Sequence, residues 1–161
     1  MSTTIRPAVP ADAALIHSFI HELAAYEELL DKVLITVAGV DAMLFTPRPR
    51  AFCDIAEVGG EPVGFALWFY NVSTFEGHHG LYLEDLYVRP QARGVGVGRA
   101  LLARLARRCV DENLKRMEWS VLDWNAAAIG FYDSLGATAK TEWITRQLRG
   151  KALEDLAESQ S

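Results

Sequence analysis

Residues 89–99 read Arg-Pro-Gln-Ala-Arg-Gly-Val-Gly-Val-Gly-Arg. Three alternating glycines, Gly94, Gly96 and Gly98, lie between Arg93 and Arg99, and a helical pattern begins there. A helix N-terminus presents unpaired N–H groups and a partial positive charge. Glycine lets the backbone close on an anion with no Cβ in the way. Residues 93–99, with Val95 and Val97 between the glycines, therefore have the make-up of a phosphate or pyrophosphate cradle. The dinucleotide spacing Gly-x-Gly-x-x-Gly fails, because Arg99 or Leu101 falls where the third glycine belongs. No Gly-Lys-Ser/Thr follows, so the nucleotide P-loop fails too. The plainer alternative is a glycine-rich turn without a ligand.

The stretch leading into this turn is Leu81-Tyr-Leu-Glu-Asp-Leu-Tyr-Val88. It is apolar on both faces, as in a central strand covered on both sides. Glu84 and Asp85 interrupt it. Strict alternation sends neighbours to opposite faces, so these two are not expected to act together. A carboxylate in a covered strand is costly unless paired or hydrated, and desolvation raises its pKa. A buried salt bridge or a backbone-bound carboxylate is the alternative to a catalytic role.

Other elements must position these groups. A short strand is expected over 3–6. A helix over 13–28 follows from Leu15, Ile16, Phe19, Ile20 and Leu23, with Asp12 as its N-cap. A short helix over 38–45 ends at the prolines of 47–49. Strands over 51–58 and 62–70 flank Gly59-Gly60, a two-residue hairpin turn. Residues 71–80 read as a loop, and 98–112 as a helix with Leu101, Leu102, Leu105 and Cys109 inward. A strand over 116–122, a helix capped by Asn125 and ended by Gly136, and a last strand over 141–148 complete the order βααβββαβαβ. The tail from Gly150 is polar and is expected to fray. Hairpins followed by strand–helix–strand units imply a mixed α/β fold, a central mixed sheet with helices on both faces.

The 161 residues suit one domain, 1–161, able to bury about 70% of its unfolded surface. A net charge of −5 argues against a duplex nucleic-acid binder and is compatible with a cationic substrate. No basic stretch followed by an apolar run opens the chain, and no apolar run spans a membrane. No disulfide framework is possible with Cys53 and Cys109 alone, and Cys-x-x-Cys is absent. The expectation is a cytoplasmic protein with buried thiols. His17 and His21, four residues apart, have no obvious third ligand, so no metal is expected. His78-His79 read as solvated loop residues, and Arg104, Arg107 and Arg108 as a solvated helix face.

Arg93-x-x-Gly96-x-Gly98 resembles the acetyl-CoA pyrophosphate motif of the GNAT superfamily of N-acetyltransferases, whose element order also matches. Within it the chain resembles the diamine (spermidine/spermine) N-acetyltransferase family and its thialysine-acetylating branch. The shared stretches are Ile5-Arg-Pro-Ala8, Glu22-Leu-Ala-Ala-Tyr-Glu27, Val63-Gly-Phe-Ala66, Tyr82-Leu-Glu-Asp85, Val88, Arg93 to Gly98, Trp124-Asn125, Phe131-Tyr132 and Gly136-Ala137. The resemblance implies transfer of acetyl from acetyl-CoA to a primary amine of a small cationic substrate, by direct attack in a ternary complex. Such chemistry needs a route for the amine proton, a donor for the leaving thiolate and dipoles for the oxyanion.

On that resemblance Tyr132 protonates the thiolate; by spacing alone it shares a helical face with Ala128 and Leu135 and reads as a core tyrosine. Glu84 relays the amine proton, and Asp85 adds negative field. Tyr26 and Glu27, otherwise a solvated helix end, become substrate contacts, with Glu27 on a distal ammonium; Glu142 is a further one. Backbone groups of Leu86, Tyr87 and Val88 pair with pantetheine, and Asn125 holds its arm. Gly94, Val95, Gly96, Val97 and Gly98 take the pyrophosphate with Arg93 and Arg99. A homodimer is implied. Polyamine-acetylating members carry an acid in the loop after the third strand, whereas Asn71-Val-Ser-Thr-Phe75 has none before Glu76. A smaller amine is therefore expected. Acetylation of a protein lysine or N-terminus, and an acyl-CoA-binding domain without turnover, are the alternatives.

Overall fold

Gly59 and Gly60 take φ of 61° and 85°, the left-handed pair that a two-residue hairpin turn requires. They join β2 (Phe52–Val58) to β3 (Glu61–Ser73). β1 (Thr3–Pro7) runs antiparallel along β2, and β4 (His78–Val88) antiparallel along β3. β5 (Met117–Trp119) lies parallel to β4, completing a mixed sheet of order β1-β2-β3-β4-β5. The computed structural model describes residues 2–159. They fall into two compact units, one ending at Leu122 and one beginning at Asp123.

In the first unit helices cover both faces of the sheet. α1 (Ala13–Tyr26) and α2 (Val37–Leu44) lie on one face. There Ile16, Phe19 and Leu23 of α1 and Val40 and Leu44 of α2 pack with Cys53, Ile55, Phe65, Leu67 and Tyr87. Burying each large apolar side chain is worth about 1.5–3 kcal/mol, so this cluster holds α1 in place. α3 (Val97–Asp111) packs on the sheet with Leu101, Leu102 and Leu105 buried. On its side Trp68 Nε1 donates to the buried Asp54 carboxylate at 2.9 Å, and the Arg108 guanidinium sits 4.8 Å above the Trp68 ring. Asp12 stands at the N-cap position of α1 as expected, but its side chain makes no capping bond to that helix. Its carboxylate accepts from the Val9 amide at 2.8 Å and from both Arg6 terminal nitrogens, at 2.7 and 3.0 Å.

The loop expected over 71–80 is mostly strand. Asn71, Val72 and Ser73 pair with Gly80, His79 and His78, leaving a four-residue turn over 74–77. The polar composition there reports an exposed hairpin end rather than a non-extended backbone. Gly80 has no room for a side chain: a Cβ would stand 2.6 Å from Asn71 Oδ1 and 3.1 Å from the Arg116 carbonyl oxygen.

The second unit contains α4 (Ala126–Ser134) and α5 (Lys151–Glu158). The strand expected over 141–148 is absent. Trp143, Ile144 and Leu148 are exposed, and no strand in the described part of this unit offers a partner. Strand propensity without a hydrogen-bonded neighbour does not make a strand. In the tail after Gly150, the exposed α5 carries a Lys151–Asp155 ion pair one turn apart. No described helix is long and apolar enough to cross a membrane.

Candidate active site

The glycine turn has the geometry of an anion cradle. A short 3₁₀ turn, Pro90–Ala92, delivers Arg93 in extended conformation. Gly94 and Gly96 follow with φ of 78° and 90°. Ala100 N–H donates to the Gly96 carbonyl, closing the first turn of α3 at 2.9 Å. The amides of Val97, Gly98 and Arg99 precede that bond and have no carbonyl one turn back. A Cβ at Gly94 or Gly96 would meet no protein atom within 4 Å. The sign of φ, not crowding, calls for glycine there, and the open space in front of the turn is room for an anion. Val97 is buried and pins the helix start, whereas Val95 and Arg99 are exposed.

Arg93 is held without being neutralised. Its Nε donates to the Val88 carbonyl at 2.8 Å. Its guanidinium lies 4.8 Å from the Tyr26 ring centroid and 5.5 Å from that of Tyr87. Arg89 contrasts with it: Glu22 accepts from its Nε and Nη2, at 2.8 Å for the latter. Sequence reasoning did not single out the Glu22–Arg89 pair, although it ties α1 to the end of β4.

The carboxylates of β4 are not on opposite faces. Leu67 pairs with Asp85 but Trp68 pairs with Leu83, so Glu84 is the extra residue of a β-bulge. A bulge uses one residue without advancing the register and resets which side the next side chains take. Glu84 and Asp85 therefore line the same cavity, of about 210 Å³, with Ile20, Ile35, Val40, Met43, Leu44 and Leu67. Burial, followed by the charges of Glu84 and Glu27, pushes the Asp85 carboxyl up to about 7. Burial also raises the Glu27 carboxyl. Glu27 ends α1 as its C-cap, immediately after Tyr26. Two acidic side chains, Glu84 and Glu27, thus act on a third, Asp85, at this end of the sheet. The apolar cavity wall from α2 was not anticipated; the apolar positions Val40, Met43 and Leu44 were its only signal.

β5 pairs with β4 only at Leu81, Tyr82 and Leu83. Beyond the bulge, at Leu86 to Val88, β4 has among the described residues a strand partner on its β3 side alone. That leaves a backbone edge of the kind an extended ligand can join.

In the second unit Asn125 is buried, and its Oδ1 accepts from the Ala128 amide at 3.2 Å, capping α4. Tyr132 is partly buried two turns along that helix, its ring 5.5 Å from that of Phe131. Glu142 is exposed in irregular chain.

The remaining sequence signals take structural parts. His17 Nε2 bonds the Ile35 carbonyl and His21 Nδ1 that of His17. Both cysteines are buried and free, and burial raises both thiols. Arg104 and Arg108 are not simply a solvated face: Arg104 lies 3.9 Å from Asp54, and Arg108 pairs with Glu112 at 2.7 Å.

The sheet, its crossover helix with a glycine cradle at the N-terminus, and the bulged acidic strand define an acyltransferase-like α/β protein. Residues 16–137 match the Acetyltransferase (GNAT) family, and the chain belongs to that family. It is 37% identical to thialysine N-epsilon-acetyltransferase of Bos taurus, over 95% of this chain and 96% of that one. The identity to the enzyme of that name from Caenorhabditis elegans is also 37%, over 92% and 93%. L-ornithine N5-acetyltransferase of Arabidopsis thaliana is 29% identical, over 96% and 87%. Among solved structures, an integron cassette protein from the mobile metagenome of V. cholerae superposes with a TM-score of 0.80. It is 26% identical, with 98% of this chain and 99% of that one covered. The protein is an N-acetyltransferase enzyme. Its family takes the acetyl group from acetyl-CoA, and the open cradle with uncancelled Arg93 charge fits that donor's pyrophosphate.

Proposed function

We propose that this enzyme acetylates a primary amine of a small cationic substrate of the thialysine or diamine type, by direct attack with both substrates bound. The observation that carries the reading is the cavity lined by Glu84 and Asp85 together, on the strand that leads into the glycine cradle. Acetyl-CoA supplies the activated acetyl group when bound. The amides of 94–98 and the Arg93 and Arg99 guanidinium groups hold its pyrophosphate, and the free edge at Leu86 to Val88 its pantetheine, with Asn125.

At the acceptor, Glu84 takes the ammonium proton, directly or through water, because a lysine-like amine with pKa near 10.4 is otherwise protonated. Asp85 supplies negative field, Glu27 holds a distal ammonium, and Tyr26 and Glu142 complete the acceptor side. Tyr132 keeps a phenolic proton for the departing sulfur. Neither cysteine is prepared as a nucleophile, since both thiols are raised by burial; this favours direct attack over an acyl-enzyme. Glu76, the first acid after β3, pairs with Arg116 at 3.7 Å in the hairpin end. That commitment favours a short amine over a polyamine, as do the names of the thialysine and ornithine relatives. The whole chain acts as one catalytic domain of a cytoplasmic homodimer in this reading, and exposed Trp143, Ile144 and Leu148 offer a second copy apolar surface.

Release of CoA from acetyl-CoA is the test, across thialysine, lysine, putrescine, spermidine, spermine and a basic peptide. Turnover is expected with thialysine, at a higher kcat/KM than with spermidine. A clear preference for spermidine overturns the short-amine reading, and preference for the peptide points to a protein acceptor. Tight acetyl-CoA binding without turnover of any amine points to a binding module.

Gly96→Val tests the donor side. A β-branched residue at φ 90° is strained by about 1–2 kcal/mol, and its side chain occupies the open cradle. KM for acetyl-CoA is expected to rise about tenfold or more, measured by initial rates at saturating amine.

A further inference from the structure

We propose that Tyr26 is a positioning residue for the donor cradle: its ring carries the Arg93 guanidinium and ties the acceptor end of α1 to the glycine turn. The inference rests on the reading that this turn binds acetyl-CoA, and it gives Tyr26 a task that a substrate contact would not have.

Arg93 is fixed from three directions. Its Nε is taken by the Val88 carbonyl at 2.8 Å, and the Tyr26 and Tyr87 rings lie 4.8 and 5.5 Å from the guanidinium carbon. Among the described residues no carboxylate pairs with it. The choice of partner has an electrostatic consequence. A carboxylate would cancel the charge, as Glu22 does for Arg89 four residues earlier. An aromatic face attracts the cation through its quadrupole and leaves the net charge intact. The guanidinium is thereby oriented and still able to pair with a phosphate, in the fork geometry that favours arginine for that purpose.

Tyr26 is also the last residue of α1, and Glu27 caps the helix directly after it. Glu27 is one of the two charges that raise the Asp85 carboxyl. One ring therefore sets the donor-side cation, and the helix end that carries it sets an acceptor-side carboxylate. Because the ring face lies against the guanidinium, phenylalanine should keep Arg93 in place, whereas alanine should not.

The experiment measures the Kd of CoA by calorimetry and the KM of acetyl-CoA and amine for Tyr26→Ala, Tyr26→Phe, Arg93→Ala and the double variant Tyr26→Ala/Arg93→Ala. Tyr26→Ala is expected to weaken CoA binding and raise acetyl-CoA KM about three- to tenfold, with a smaller change in kcat at saturation. Tyr26→Phe is expected to keep the CoA Kd within about twofold. The double variant is expected to bind CoA no more weakly than Arg93→Ala alone, since Tyr26 acts through Arg93. Additive losses, or a rise in amine KM with the CoA Kd unchanged in Tyr26→Ala, overturn the proposal. Failure of the wild-type protein to bind CoA would instead overturn the donor-site reading itself.

Discussion

Tyr132→Phe is expected to lower kcat about 100-fold or more while leaving the KM of acetyl-CoA nearly unchanged. General acid catalysis is typically worth 10²–10⁴ in rate, and a 100-fold loss is about 2.7 kcal/mol of barrier. The substitution removes one oxygen and its proton and keeps the ring, so packing against Phe131 survives. The helix that carries the phenol is set at both ends independently of that hydroxyl. Asn125 caps its start through the Ala128 amide. Gly136, at φ 83°, ends it, and the Ala137 amide donates back to the Tyr132 carbonyl. A loss of kcat with unchanged helicity by circular dichroism therefore reports chemistry. A kcat equal to that of the wild type would remove Tyr132 from proton transfer.

Asp85→Asn is expected to raise the amine KM about thirtyfold at pH 8.5 and by little at pH 6. The Asp85 carboxyl is driven from its ordinary 3.8 to about 7, first by burial and then by Glu84 and Glu27. It is largely neutral at pH 6 and charged at pH 8.5, so in the wild type the KM of a cationic amine should fall as pH rises through 7. Asparagine has no such titration, and the variant's KM should be flat across that range.

Stability responds in the opposite sense. Because the folded state holds this proton more tightly than the unfolded chain, the wild type loses stability as pH climbs from about 4 to 7 and levels off above. A shift of that size would cost about 4 kcal/mol in full. Water reaching the half-buried carboxyl reduces this to about 1–2 kcal/mol. Asp85→Asn should therefore melt at a higher temperature than the wild type at pH 8 and at the same temperature near pH 4. Thermal denaturation at the two pH values checks this. A variant less stable at pH 8 would mean that Asp85 makes a stabilising contact outweighing its burial.

The glycine cradle was legible because its physics is local. Alternating glycines, flanking arginines and a helical pattern from Val97 onward lie within a dozen residues, and the chemistry of a helix N-terminus needs no distant partner. The same holds for the Gly59-Gly60 turn, the apolar face of α1 and the Asn125 cap. The acidic cavity was not legible. Strict alternation sends Glu84 and Asp85 apart, and only the pairing of β3 with β4, which skips Glu84 between Leu83 and Asp85, brings them together. Register is a property of two strands far apart in sequence. The segment over 141–148 failed in the complementary way, having strand-forming residues but no neighbouring strand in its own unit.

The resemblance to the GNAT family implied acetyl transfer, whereas composition and spacing by themselves determined an acidic α/β chain with a glycine-rich turn, of anion-cradle make-up, before a helix. Each of those features arises from residues close along the chain, where side-chain period and backbone freedom set the outcome. Only the tertiary structure decided which charges act together: Asp85 with Glu84 and Glu27, Arg89 with Glu22, and Arg93 with two aromatic rings instead of an acid. The reason is that charges and rings interact through space, over a few ångströms that sequence distance does not measure.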